Sequence, residues 1–178
     1  MENTTQLAPS APATLQSSNA AAELLQIVTF QVGKEIFGLD ILKVHEIIRF
    51  QPLTRVPNLP DYVEGVLNLR GKIIPVVGFR QRMGLDRLEP NTTTKIVVAS
   101  VKDAVLGFLV DSVSEVLRIS GSTVEPAPRL GEVRQKYVSG VGKLDGRLLL
   151  LLDLDELLSE EEKTDVLSAK GVGEPSGA

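Results

Sequence analysis

An all-β fold with a few short helices, arranged as two tandem five-stranded barrels that arose by internal duplication, is what this sequence predicts. Two repeated blocks carry the prediction. Residues 63–77 lie over residues 138–152 without a gap, 75 positions apart, so that Val63, Gly65, Val66, Leu69 and Gly71 meet Val138, Gly140, Val141, Leu144 and Gly146. Upstream, residues 38–48 match the pattern of residues 107–117, 69 positions on, with Gly38, Val44 and Glu46 recurring as Gly107, Val113 and Glu115. Blocks in one order at nearly one offset mean that a unit of roughly 60 residues was duplicated, about the smallest size that buries a core unaided. A third observation is the density of short apolar runs bounded by turn residues. Closure into small barrels removes the exposed edges that open sheets of such strands would have to protect.

In the first unit, residues 27–32 read as a strand, Gly33-Lys34 as its turn and residues 35–39 as the returning strand. Asp40 is placed to cap a short helical turn through Lys43, and residues 44–49 form a β-branched run that re-enters a sheet. Pro52, Pro57 and Pro60 then impose a non-helical loop. Strands over 63–69 and 72–77 flank Arg70-Gly71, where glycine suits the positive φ of a tight hairpin. Pro75 lacks an N–H and belongs at an edge or bulge. The second unit repeats five runs at 95–101, 104–110, 113–119, 138–144 and 147–152, with Asp145-Gly146 as a strong hairpin signal. Residues 153–162 read as a terminal helix capped by Asp153, with Leu154, Leu157 and Leu158 as its apolar side. The first barrel then spans about 26–84 and the second about 92–158, within an ordered domain over 23–162. Residues 1–22 and 163–178 lack an apolar period strong enough to offset the entropy of ordering, and are expected to be mobile tails.

Composition narrows the function. With 178 residues, 43% apolar and 24% charged, the chain is of the ordinary globular class. The absence of cysteine excludes disulfides, thiolate metal sites and a cysteine nucleophile, and fits a reducing cytoplasm. No apolar run is long enough for a signal peptide or a membrane span, so a cytosolic protein without direct membrane insertion is expected. A net charge of −4 and 4% aromatic residues argue against nucleic acid, which needs a basic face and stacking platforms.

Catalytic chemistry is hard to assemble. His45 is the only histidine, so no nucleophile–base pair suggests itself. Glu46 and Glu115 occupy matching places in the repeats, which suggests a shared structural or surface role rather than a paired acid and base. Asp153, Asp155 and Glu156 suit a helix N-terminus without any ion. Neither standard glycine-rich phosphate loop is present. No catalytic residue, metal or cofactor is expected, and the chain reads as a binding module. Arg70 has two readings: a solvated turn residue, or a guanidinium that recognises a partner carboxylate. The second repeat carries Asp145 at the same place, so the fold itself does not demand arginine there.

Several motifs occur together in order: Phe37-Gly38-Leu39-Asp40-Ile41-Leu42-Lys43-Val44 with Glu46-Ile47, then Gly65-Val66, Asn68-Leu69-Arg70-Gly71 and Ile74-Pro75-Val76-Val77. Val110-Asp111-Ser112-Val113, Pro126-Ala127-Pro128 and Gly140-Val141-Gly142 follow. From about residue 27 to 158 the chain thereby resembles the CheW family of bacterial chemotaxis coupling proteins. The resemblance implies SH3-like barrels, no enzymatic activity, and an adaptor role in signal transduction, joining methyl-accepting chemoreceptor tips to the CheA histidine kinase. It implies a cytoplasmic protein recruited to receptor arrays at the inner face of the membrane, and a monomer when free. By the same analogy Arg70 and Glu46 lie in or near the receptor contact, Ile41 and Val44 help form an apolar groove between the barrels, and the kinase docks among Leu53, Thr54, Arg55 and Val56. A related chemosensory pathway controlling pili or gliding is the alternative output, and a small-barrel ligand-binding domain or enzyme is a remote alternative. One departure stands out: the family usually continues the hairpin with Asp-Leu-Arg, whereas this chain has Gly78-Phe79-Arg80, removing a carboxylate that could cap or pair.

Overall fold

The computed structural model describes residues 23–127 and 137–173. The expected tail over 1–22, the last residues 174–178 and Pro128 lie outside the described residues. Among the described residues ten strands are formed: β1 (Leu24–Val32), β2 (Glu35–Asp40), β3 (Val44–Arg49), β4 (Val63–Leu69), β5 (Lys72–Gly78), β6 (Lys95–Val101), β7 (Ala104–Val110), β8 (Ser112–Ser120), β9 (Val138–Leu144) and β10 (Arg147–Leu152). Two helices, α1 (Phe79–Arg82) and α2 (Glu160–Gly173), follow β5 and β10. As expected, Asp40 caps a 3-10 turn over Ile41–Lys43, its carboxylate accepting from the Leu42 N–H at 2.9 Å.

Two five-stranded sheets result, with orders β3-β6-β7-β5-β4 and β8-β1-β2-β10-β9. The orders are the same under the exchange of β3 for β8, β6 for β1, β7 for β2, β5 for β10 and β4 for β9. In the first sheet β5 runs parallel to β7 with Val76 beside Gly107, and in the second β10 runs parallel to β2 with Leu151 beside Gly38. Both sequence offsets are therefore reproduced in space, 69 for the glycines and 75 for their neighbours.

The sheets do not divide the chain at 26–84 and 92–158, however. The hairpin β1–β2 sits in the sheet of β8, β9 and β10, and the hairpin β6–β7 sits in the sheet of β3, β4 and β5. Each sheet thus takes its hairpin from one repeat and its remaining strands from the other. Local turns make the hairpins, through Gly33 at φ +63° and Lys102 at φ +55°. Their placement is set by the parallel contacts, and two hairpins with the same apolar pattern satisfy either partner equally in sequence terms.

This exchange explains why several strands are apolar without alternation. In β10, Leu149 and Leu151 face the inner core of their own sheet, while Leu150 and Leu152 face a larger core shared by both sheets. In β6, Ile96 and Val98 face inward and Val97 and Ala99 face the shared core. A strand buried on both faces has no polar side to present. At the centre, Phe79 from α1 meets Phe30 and Phe37 of the other sheet edge-on, with ring centroids 5.3 and 5.1 Å apart.

The C-terminal expectation needs correction. Asp153 does cap a turn, accepting from the Asp155 N–H at 3.0 Å, and Leu154, Leu157 and Leu158 are buried, but that 3-10 turn ends at Glu156. A separate helix begins at Glu160 through a reciprocal cap: the Glu162 N–H donates to Ser159 Oγ at 3.1 Å, and the Ser159 N–H donates to Glu162 Oε1 at 3.0 Å. Val166 and Ala169 are fully buried against the domain, so the segment after 162 is a packed helix through Gly173 rather than a mobile tail. Among the described residues no helix is long and apolar enough to cross a membrane.

Candidate functional site

Arg70 and Gly71 turn the β4–β5 hairpin with φ of +53° and +84°, the doubly left-handed geometry that matches the twist of antiparallel strands. The Gly71 N–H donates to Asn68 Oδ1 at 3.0 Å, fixing the turn from within. From it the Arg70 guanidinium donates through Nη1 to Glu46 Oε2 at 2.6 Å. Glu46 lies on β3, beyond a bulge after Val44. Because β3 and β4 are opposite edges of their sheet, this ion pair spans a sheet that has curled until its edges approach. A second tie between those edges is backbone: Thr54, beyond β3, bridges Val66 of β4 with N–H to O distances of 3.0 and 2.9 Å.

Arg70 and Glu46, which the family resemblance put in or near one contact region, are thus brought together. The arginine side chain keeps 76% of its surface exposed, and an exposed pair of this kind contributes about 0–1 kcal/mol. A groove opens beside the pair, with Ile73, Ile74 and Val105 among its apolar lining and Lys72 and Lys170 among its polar lining. Asp103 lines it too; the Lys163 ammonium donates to it at 2.6 Å and holds its carboxyl below the usual range. His45 Nε2 meets Ser100 Oγ at 2.6 Å nearby.

Ile41 and Val44 lie elsewhere. Val44 packs on the shared core, Ile41 is half-buried on the 3-10 turn, and neither lines the groove beside Arg70. Among Leu53, Thr54, Arg55 and Val56, Leu53 packs on the inner core of the first sheet, Thr54 and Arg55 are exposed, and Val56 is half-buried. The segment is pressed on β4: a Cβ at Gly65 would lie 2.5 Å from the Thr54 carbonyl oxygen. The second repeat has the same arrangement in Glu125 and Val141, bridged at 2.9 and 2.8 Å.

The Gly78 departure has a local explanation. Gly78 precedes α1 without a side-chain cap, and its N–H donates to the Tyr62 carbonyl at 2.7 Å, just as that of Asp153 donates to Tyr137. The space a Cβ would take is filled by the Gln81 amide, which donates to Glu64. Arg80, retained from the motif, makes a two-pronged pair with Asp111 at 2.9 Å on each arm, while Asp111 Oδ2 also accepts from the Gly33 N–H at 2.9 Å. Sequence reasoning missed this clamp. The only signal was an arginine after the hairpin and an aspartate between β7 and β8.

Comparison with known proteins places these features in a family. The CheW-like domain model matches residues 26–162. The chemotaxis protein CheW of Rhizobium meliloti (strain 1021) is 37% identical over 151 residues, covering 82% of this chain and 97% of that protein. That of Klebsiella aerogenes is 37% identical over 138 residues, covering 77% and 83%. The crystal structure of the scaffolding protein TtCheW from Thermoanaerobacter tengcongensis superposes with a TM-score of 0.73 at 31% identity, covering 79% of this chain and 96% of that one.

Proposed function

This chain belongs to the CheW-like family and is a non-enzymatic chemotaxis scaffolding protein, and from that premise we propose that it holds a CheA-type histidine kinase and the cytoplasmic tip of a methyl-accepting chemoreceptor at once. Its effect is positional. Joining two partners on one rigid body raises the local concentration of each for the other without any chemistry. Such a scaffold works in the cytoplasm, at receptor arrays on the inner face of the membrane, and is monomeric when free.

The observation that supports this reading is the exposed Arg70–Glu46 pair at the mouth of a groove with apolar lining. A planar guanidinium already bonded to one carboxylate keeps further N–H donors for a second. Arg70 and Glu46 are the receptor contact in this reading, with Ile41 and Val44 on the flank. Leu53, Thr54, Arg55 and Val56 take the kinase, with the Thr54 backbone held by β4 while Thr54 and Arg55 face solvent.

Size-exclusion chromatography of the full chain with a CheA-type kinase and a soluble receptor-tip fragment tests it. A ternary complex is expected, with Arg70→Ala losing the receptor arm and Arg55→Glu the kinase arm. Failure of either partner to co-elute with the unmutated chain overturns the adaptor reading, and loss of both arms in one folded variant overturns the separation of the two surfaces.

A further inference from the structure

The family match ends at residue 162, while α2 continues to Gly173 and carries Lys170 to the wall of the Arg70 groove. We propose that α2 is part of the receptor-binding surface, and that Lys170 with Lys72 selects partner segments bearing carboxylates beside an apolar stripe. The proposal rests on the reading of this groove as the receptor contact and names the chemistry that the groove prefers.

The helix is held firmly enough to act as a wall. Val166 joins the core shared by the two sheets, and Ala169 is fully buried. At its start, Arg82 pairs with Glu162 at 2.7 Å, Lys163 with Asp103 at 2.6 Å, and Lys102 with Glu160. Its contacts with β4 and β5 run beside the strands that end in the Arg70 hairpin.

Charge decides what the wall attracts. Of the ionic groups in the groove lining, Glu46 is taken by Arg70 and Asp103 by Lys163. Lys72 and Lys170 line the same groove and take part in none of the ion pairs formed among the described residues. Two uncompensated ammonium groups and the spare donors of Arg70 therefore rim a floor that includes Ile74, Val98 and Val105. A lysine near a helix C-terminus also interacts favourably with the helix dipole, so a purely structural role for Lys170 has to be separated from recognition. The surfaces of an amphipathic helix that combine an apolar stripe with glutamate or aspartate on its border fit the groove; a basic border does not.

The test measures affinity of the full chain for the receptor-tip fragment by calorimetry, with thermal midpoints on the same samples. Lys170→Glu is expected to weaken binding about tenfold and Lys170→Gln about threefold, both losses shrinking as salt is raised. The thermal midpoint stays within about two degrees. Lys34→Glu, which changes net charge equally in the β1–β2 turn outside the groove, is expected to leave affinity unchanged. If Arg70→Ala weakens binding while Lys170→Glu does not, or if Lys34→Glu weakens it as much as Lys170→Glu, the role of α2 is overturned and the groove reading stands. If Arg70→Ala and Lys170→Glu are both silent, the groove reading itself falls, and this proposal with it.

Discussion

Arg70-Gly71 and Asp145-Gly146 turn equivalent hairpins in the two sheets, with φ of +53° and +84° in one and +46° and +80° in the other. Aspartate tolerates the left-handed region better than most residues and Asp-Gly is a favoured pair for this turn, whereas arginine has no such aptitude. The surroundings differ as well. Arg70 pairs with Glu46, while the counterparts Asp145 and Glu115 are both acids and make no pair with each other. One turn keeps the residue the backbone prefers; the other carries a residue whose use lies outside the backbone. The duplicated fold thus supplies two copies of one scaffold, and among the described residues the first hairpin carries the turn arginine, its Glu46 partner and the groove that α2 helps to wall.

The comparison can be broken hardest at the paired glycines. Gly65 and Gly140 hold equivalent register positions, opposite Val76 and Leu151. Their tolerances differ, because Gly65 has φ +149° and a Cβ there would meet a backbone oxygen at 2.5 Å. A Cβ at Gly140 would meet the Val124 side chain at 2.7 Å and the Glu125 carbonyl at 3.1 Å, so its shortest contact is with a side chain rather than with backbone, and its φ is not in the left-handed region. Gly65→Ala is expected to cost on the order of 3 kcal/mol and Gly140→Ala about 1 kcal/mol by urea denaturation. Equal losses would mean that the two bridges are energetically alike and that the asymmetry is confined to the hairpin turns.

Next in size is the helix that only one sheet carries. Val166→Ala removes two buried methyl groups and is expected to cost about 2 kcal/mol, lowering the thermal midpoint without abolishing the fold. An unchanged midpoint would show that α2 does not pack.

A smaller effect comes from acid. Burial tends to raise the Glu162 carboxyl, but the Ser159 N–H and the Arg82 guanidinium outweigh it and hold it below the usual glutamate range. A carboxyl lowered by folding contributes stability in full above its unfolded value, and that contribution is lost as the pH falls through the folded one. Helical signal should therefore fall on acidification below the ordinary glutamate range, and less steeply in Glu162→Gln. The same profile in both proteins would remove Glu162 from the anchoring of α2.

Much of the fold was legible because strand signals are local. The ends of β3, β4, β6, β7, β9 and β10 follow from apolar runs and from the turn chemistry of Gly71 and Asp145-Gly146. The exchange of hairpins between repeats was not, since β1–β2 and β6–β7 carry the same pattern and the choice of partner is made by parallel contacts far along the chain. Nor was α2 beyond 162: its apolar face is short, and Gly171 and Gly173 read as helix breakers. α1 is four residues long and starts without a side-chain cap, leaving little periodic signal. At the site, Arg70 stood out because the second repeat replaces it. The family resemblance put Glu46 in the same contact region, but their pairing was not legible because it depends on the curling of the sheet, and Lys170 gave no signal because its place depends on the packing of α2.

Arg70→Asn joins these lines, being the change with the smallest expected effect on the fold and a large one on assembly. Asparagine accepts the left-handed turn and removes the guanidinium without placing a second acid beside Glu46. Unfolding and receptor-tip binding measured on one preparation should show a stability change within about 0.5 kcal/mol and an affinity loss of roughly tenfold to a hundredfold. Unchanged affinity together with a clear loss of stability would contradict the account, returning Arg70 to the turn and making the two hairpins equivalent after all.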